Sequence, residues 1–176
     1  LTVAWAAGLG GDLVGLYSFD AEPRRFTPPQ PGRAVFPLLR RQTADMSYST
    51  VESNHTLALA HLNGLLSRRS LIVIFSDFAD TTTAELLVEN LQVLNRMHVV
   101  LFVTLRDPLL ESLQGGQARS LDQLAEAVVA ADMLRERQVV LDRLARIGVL
   151  CLETAPGKLT PRLLSAYLDI KGRELI

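Results

Sequence analysis

A chain of 176 residues, 48% apolar and 21% charged, has enough material for one domain around a full hydrophobic core. Its formal net charge of −1 gives no electrostatic reason to bind nucleic acid or an anionic membrane surface, and its single cysteine, Cys151, excludes an internal disulfide and a cysteine-rich zinc centre. Neither a signal peptide nor an apolar run approaching the roughly 20 residues that span a bilayer is visible, so this segment reads as resident in a reducing, cytoplasmic compartment.

Residues 1–9 (LTVAWAAGL) read as the last turns of a helix, ended by Gly10-Gly11. Residues 12–19 follow as a strand, and Arg24-Arg25-Phe26-Thr27 as a short edge strand closed by Pro28-Pro29-Gln30-Pro31-Gly32. Residues 34–41 are helical in pattern, with Pro37 expected in the first turn. A polar loop over 44–51 precedes a second helix over 53–66, whose apolar side is Leu57, Leu59, Leu62, Leu65 and Leu66. Leu71-Ile72-Val73-Ile74-Phe75 is too short for a helix and rich in β-branched residues, the pattern of a strand buried on both faces.

A helix over about 83–97 comes next, with Thr82 and Glu85 at capping-box spacing. Residues 99–105 (VVLFVTL) form another buried strand, and Asp107 then caps a short helix with Pro108 at its first position. Ser120 and Gln123, again at capping spacing, open a long helix to about Ile147, which Gly148 ends. Residues 149–152 make the last strand, with Cys151 read as an inert core thiol, and Thr160-Pro161 starts a final helix over 162–175. Helices alternating with buried strands define one α/β domain, Rossmann-like and doubly wound, with a mainly parallel sheet. Parallel strands need a helical crossover between them, so the opening helix implies an earlier strand, the first and most central one, before Leu1.

Ligands of such sheets bind beyond the carboxyl ends of the strands, and Asp77 falls there. Its carboxylate suits a hard cation such as Mg²⁺, which takes oxygen ligands and keeps several waters; as a structural residue it caps the next helix or pairs with a base. Asp80 and Asp20 lie at the same edge and read as loop and turn residues, and capping accounts for Asp107. Arg106 follows the next strand at that edge, where it can touch a partner. The histidines carry no metal signal: His55 and His61 are six apart on one helix, and His98 begins a strand. Ser76 has no nucleophile elbow around it, and Gly8, Gly10 and Gly11 precede a strand, the reverse of a phosphate-binding loop. The mixed charges of the long helix, Arg135, Arg137, Arg143 and Arg146 among Asp122, Glu126, Asp132 and Glu136, read as a solvated face and a docking surface.

The segments LVGLYSFD, RRFTPPQPGR, ESNHTLALAHL, RRSLIVIFSDFAD, HVVLFVTLRDP and LLSAYLDIKGREL, in that order, resemble domain-of-unknown-function family 58 (DUF58), a branch of the von Willebrand factor A (vWA) fold. The resemblance implies a non-enzymatic interaction module that works with a MoxR-type AAA+ ATPase in assembling or activating other complexes, often with membrane-spanning helices upstream. It also implies a magnesium site at the top of the sheet, in which Asp77 matches the aspartate after the fourth strand. Ser53 is the best match to the hydroxyl ligand, with Thr50 second, although Ser53 already has a structural use as a helix N-cap. The Asp-x-Ser-x-Ser part of that site has no match in this chain. Two other functions stay open: a metal-free scaffold, and a metal-dependent hydrolase, which lacks a visible base or nucleophile pair.

Overall fold

The computed structural model describes residues 1–47, 49–76, 81–115 and 120–176, without the side chains of 81–83 and 115. Along the chain run α1 (Thr2–Leu9), β1 (Leu13–Phe19), β2 (Pro23–Pro31), α2 (Gly32–Ala44), α3 (His55–Leu65), β3 (Leu71–Phe75), α4 (Thr81–Met97), β4 (Val99–Leu105), α5 (Pro108–Gly115), α6 (Leu121–Arg146), β5 (Leu150–Thr154) and α7 (Leu159–Gly172). This is a mixed α/β protein with a three-stranded parallel sheet flanked by helices. It divides into two compact units, Leu1–Ser67 with Thr160–Leu175, and Arg68–Leu159 with Ile176.

In the first unit β1 and β2 form an antiparallel pair, with Leu13 opposite Pro31 and Tyr17 opposite Phe26. The second strand holds four prolines, Pro23, Pro28, Pro29 and Pro31, and runs well past the four residues expected of it. Proline lacks the N–H that a ladder needs and is tolerated only at edges and bulges, and the register shifts between Val14 and Leu16, opposite Pro28-Pro29. Gly15 sits at that shift because a Cβ there would lie 2.7 Å from the Thr27 carbonyl oxygen. The next helix starts at Gly32, so Pro37 lies inside it rather than in its first turn. Gly8 and Gly32 let α1 and α2 touch backbone to backbone, since a Cβ on Gly32 would lie 2.4 Å from the Gly8 Cα. Trp5 packs edge-on against Phe36, with ring centroids 5.0 Å apart. From α7, which begins at Leu159 rather than at Arg162, come Leu163, Tyr167 and Ile170, all buried.

The second unit holds the parallel sheet in the order β3-β4-β5, with Leu71 opposite Val99 and Leu101 opposite Leu150. The central strand is buried from Val99 to Thr104, which is why its sequence is a continuous apolar run rather than an alternation. Helix α4 buries Ala84, Leu87, Leu91 and Leu94 at spacings of three and four, one face of a helix. α6 packs beside α4 and buries Ala130, Val140, Leu141 and Leu144, and Glu85 joins the two helices through Arg143 at 3.2 Å. The amino end of the sheet is tied by Asn95: its amide nitrogen donates to the Ile147 carbonyl at 3.1 Å, and its oxygen accepts from the Val100 N–H at 3.3 Å. Gly148 turns the chain there with φ +84°, a value open to glycine. Ser120 accepts from the Gln123 N–H at 3.2 Å and Asp107 from the Leu109 N–H at 2.8 Å, the two caps expected from their spacing.

Cys151 lies on β5, as expected, but this is an edge strand and the residue is exposed rather than in the core. Its thiol points at the carbonyls of Leu141 and Val149, and desolvation pushes its pKa up to about 11. Among the described residues no helix is long and apolar enough to cross a membrane.

Candidate functional site

The carboxyl end of β3 leads to Ser76, whose N–H donates to the Val103 carbonyl at 3.3 Å. The next four residues, including Asp77 and Asp80, lie outside the described residues. The apolar run therefore delivers the chain to the carboxyl edge of a parallel sheet just before Asp77, the position such sheets use for ligands.

At the carboxyl end of β4 and β5 a chain of ions closes over the strands. Arg137 of α6 donates through Nη2 to the Thr104 hydroxyl and the Leu105 carbonyl. Its Nε lies 3.3 Å from Glu153, and its side chain is only 10% exposed. Glu153 is shared with Arg106 at 3.6 Å, and Arg106 reaches Glu111 of α5 at 3.8 Å. Arg106, which the sequence places where it can touch a partner, is half-exposed and paired with both Glu153 and Glu111. Arg137, which the sequence places on a solvated face, is a buried tie between helix and sheet. The signal is in the spacing: Arg137 is seven residues after Ala130 and three and seven before Val140 and Leu144, on the buried stripe of α6.

In the first unit the corresponding corner lies just after β1. Asp20 accepts from the Arg24 Nε at 2.8 Å and from the Glu22 N–H at 3.1 Å. These bonds, the Arg24 one first, hold its carboxyl below the usual carboxylate range. Its carbonyl accepts from the Asn54 N–H at 2.9 Å, which draws the loop before α3 onto the end of β1. The N-cap of α3 is Asn54, whose side chain accepts from the Leu57 N–H at 3.0 Å, and not Ser53. Ser53, like Thr50, is exposed, and its hydroxyl has no cap to make. Among the described residues no group of three or more His, Cys, Asp and Glu side chains is arranged to hold a metal ion. His55 and His61 of α3 pack against Phe19 and Tyr17, with the Tyr17 hydroxyl 3.1 Å from the His61 Nδ1, so these histidines serve an aromatic cluster.

The described residues thus form an α/β chain in which arginine–glutamate pairs close the carboxyl ends of β4 and β5. Its sequence matches the family described as protein of unknown function DUF58 over residues 1–144, and the chain belongs to that family. No curated protein and no solved structure matches it.

Proposed function

We propose that this chain is a non-enzymatic protein-interaction module, a doubly wound vWA-like domain acting on the cytoplasmic side with a MoxR-type AAA+ ATPase to assemble or activate other complexes. In this reading Asp77 and Ser53 hold Mg²⁺ at the carboxyl edge, and the partner docks there. The observation that carries it is the unspent hydroxyl of Ser53. Asn54 takes over the capping that would otherwise account for a serine at this position. A neutral exposed hydroxyl is the donor that a hard, hydrated cation accepts beside a carboxylate. Asp20 is no competitor, because Arg24 neutralises it. Exposed Leu109 and Leu121, at the starts of α5 and α6, give the same end of the parallel unit apolar surface for a protein rather than a small polar substrate.

The experiment is calorimetric titration of the chain with Mg²⁺, together with co-purification with a MoxR-type ATPase from the same cell. We expect heat of binding that Asp77→Ala abolishes and Ser53→Ala reduces about tenfold in affinity, with loss of the ATPase in both variants. Unchanged ATPase recovery in both variants overturns the proposal.

A metal-free scaffold is the second reading, favoured by the internal neutralisation of Asp20 by Arg24 and of Glu153 by Arg106 and Arg137. Co-purification without any Mg²⁺ heat supports it.

A further inference from the structure

His98 is the residue between the end of α4 and the start of β4, and it is 2% exposed. Neither ring nitrogen has a hydrogen-bond partner among the described residues. A buried imidazole with no acceptor for its N–H is costly when neutral and far more so as a cation. Three neighbouring ties at this corner are backbone or amide bonds: the His98 N–H donates to the Leu94 carbonyl at 2.9 Å, the Val99 N–H to the Ser70 carbonyl at 2.9 Å, and the Val100 N–H to Asn95. None of them offers the ring a carboxylate.

The charges around the corner are basic. Arg69, in the segment that leads into β3, is the one whose field acts on the ring. The last turn of α4 carries Arg96, and that of α6 carries Arg143, paired with Glu85, and Arg146. No carboxylate among the described residues acts on His98. Burial first, then Arg69, holds the ring neutral below its ordinary range.

We propose that His98 is a pH-operated latch on this corner: when the ring takes a proton, the corner between α4 and β4 opens and the Val99–Ser70 bond that registers β4 on β3 is released. The proton binds more tightly to the open form than to the closed one, so acid pulls the equilibrium open. Below about pH 6.5, where a solvated histidine begins to charge, the opening constant rises by up to about tenfold per pH unit until the closed form itself takes the proton.

The test is NMR on the whole chain with ¹⁵N-labelled histidine, combined with amide protection measured between about pH 8 and 5 and corrected for intrinsic exchange. The expected result is a folded-state His98 ring that stays neutral through pH 6.5, while protection at Val99 and Val100 falls relative to Leu87 and Leu91 in the α4 core. His98→Phe keeps the ring volume without the proton, and the acid loss of protection should vanish. Arg69→Gln, which leaves the core untouched, should let the closed form take the proton at higher pH, so that the acid-driven rise in opening levels off earlier and is smaller. A His98 ring that titrates near 6.5 in the folded chain with protection unchanged overturns the proposal. So does acid opening that persists in His98→Phe.

Discussion

Ser53 and Asn54 are neighbours with the same capping chemistry, and one of them is used. The Asn54 carboxamide oxygen takes the Leu57 N–H, while its own N–H is drawn to the Asp20 carbonyl. Loss of this cap should be felt in stability, whereas loss of the serine should not. Asn54→Ala is expected to cost about 1 kcal/mol in urea denaturation, and Ser53→Ala less than about 0.5 kcal/mol. Equal losses would return the capping role to Ser53 and remove the reason for reading it as a ligand. Cys151 makes a second prediction at this scale. It lies on an exposed edge strand, yet desolvation keeps its thiol protonated up to about pH 11. Alkylation by iodoacetamide at pH 7.5, followed by mass spectrometry, should run about a hundredfold slower than for an unperturbed cysteine, because the thiolate and not the thiol reacts.

Elements are legible wherever one physical signal dominates. The β4 run VVLFVTL, the Ser120 and Asp107 caps and the Gly148 terminator are all readable because burial, capping chemistry and left-handed φ each leave a distinct residue pattern. Strand β2 reads too short because its prolines forbid an ordinary ladder, and the Gly15 bulge that admits them is a pairwise fact visible only when both strands are placed. Arg137 reads as solvated because its charge outweighs its position in the helix repeat. Of the candidate site, Ser53 can be located from the residues but its freedom from capping cannot, since Asn54 stands one residue away with an equal claim. Arg137→Ala should cost about 3 kcal/mol, through loss of the guanidinium's pairing with Glu153 and of its bonds to the Thr104 and Leu105 oxygens. Arg137→Lys should recover only part of that, since an ammonium cannot reproduce the guanidinium fork. Glycines give the opposite test. Gly64 in α3 has nothing within 4 Å of the place a Cβ would take, so Gly64→Ala should stabilise by about 0.5–1 kcal/mol, while Gly32→Ala, blocked by Gly8, should destabilise.

At the scale of the whole chain, one tie joins residues 159 positions apart. Lys171 of α7 holds both carboxylate oxygens of Asp12 at 2.7 and 2.8 Å, and the Tyr167 hydroxyl donates to the same group. Asp12 sits in the turn between α1 and β1, where its N–H donates to the Ala7 carbonyl and its carbonyl accepts from the Gly32 N–H. The carboxylate thus fastens the C-terminal helix onto the turn around which α1, β1 and α2 are arranged. Burial on its own would raise the Asp12 pKa, but the bonds from Lys171 and Tyr167 and the Lys171 charge together outweigh it, and the carboxyl is held below its ordinary 3.8. A carboxylate with a depressed folded pKa contributes stability that is complete above its unfolded value and is lost as pH falls through the folded one. Lys171→Met should therefore cost about 1 kcal/mol or less near neutrality, the pair being about one-third exposed and screened by salt. The gap between wild type and variant should close as the pH is lowered from about 5 to about 2, because Asp12 is then protonated in both. Urea midpoints measured across that range decide it: a gap that does not narrow in acid would mean that the lysine stem packs α7 in place and that the charge contributes nothing.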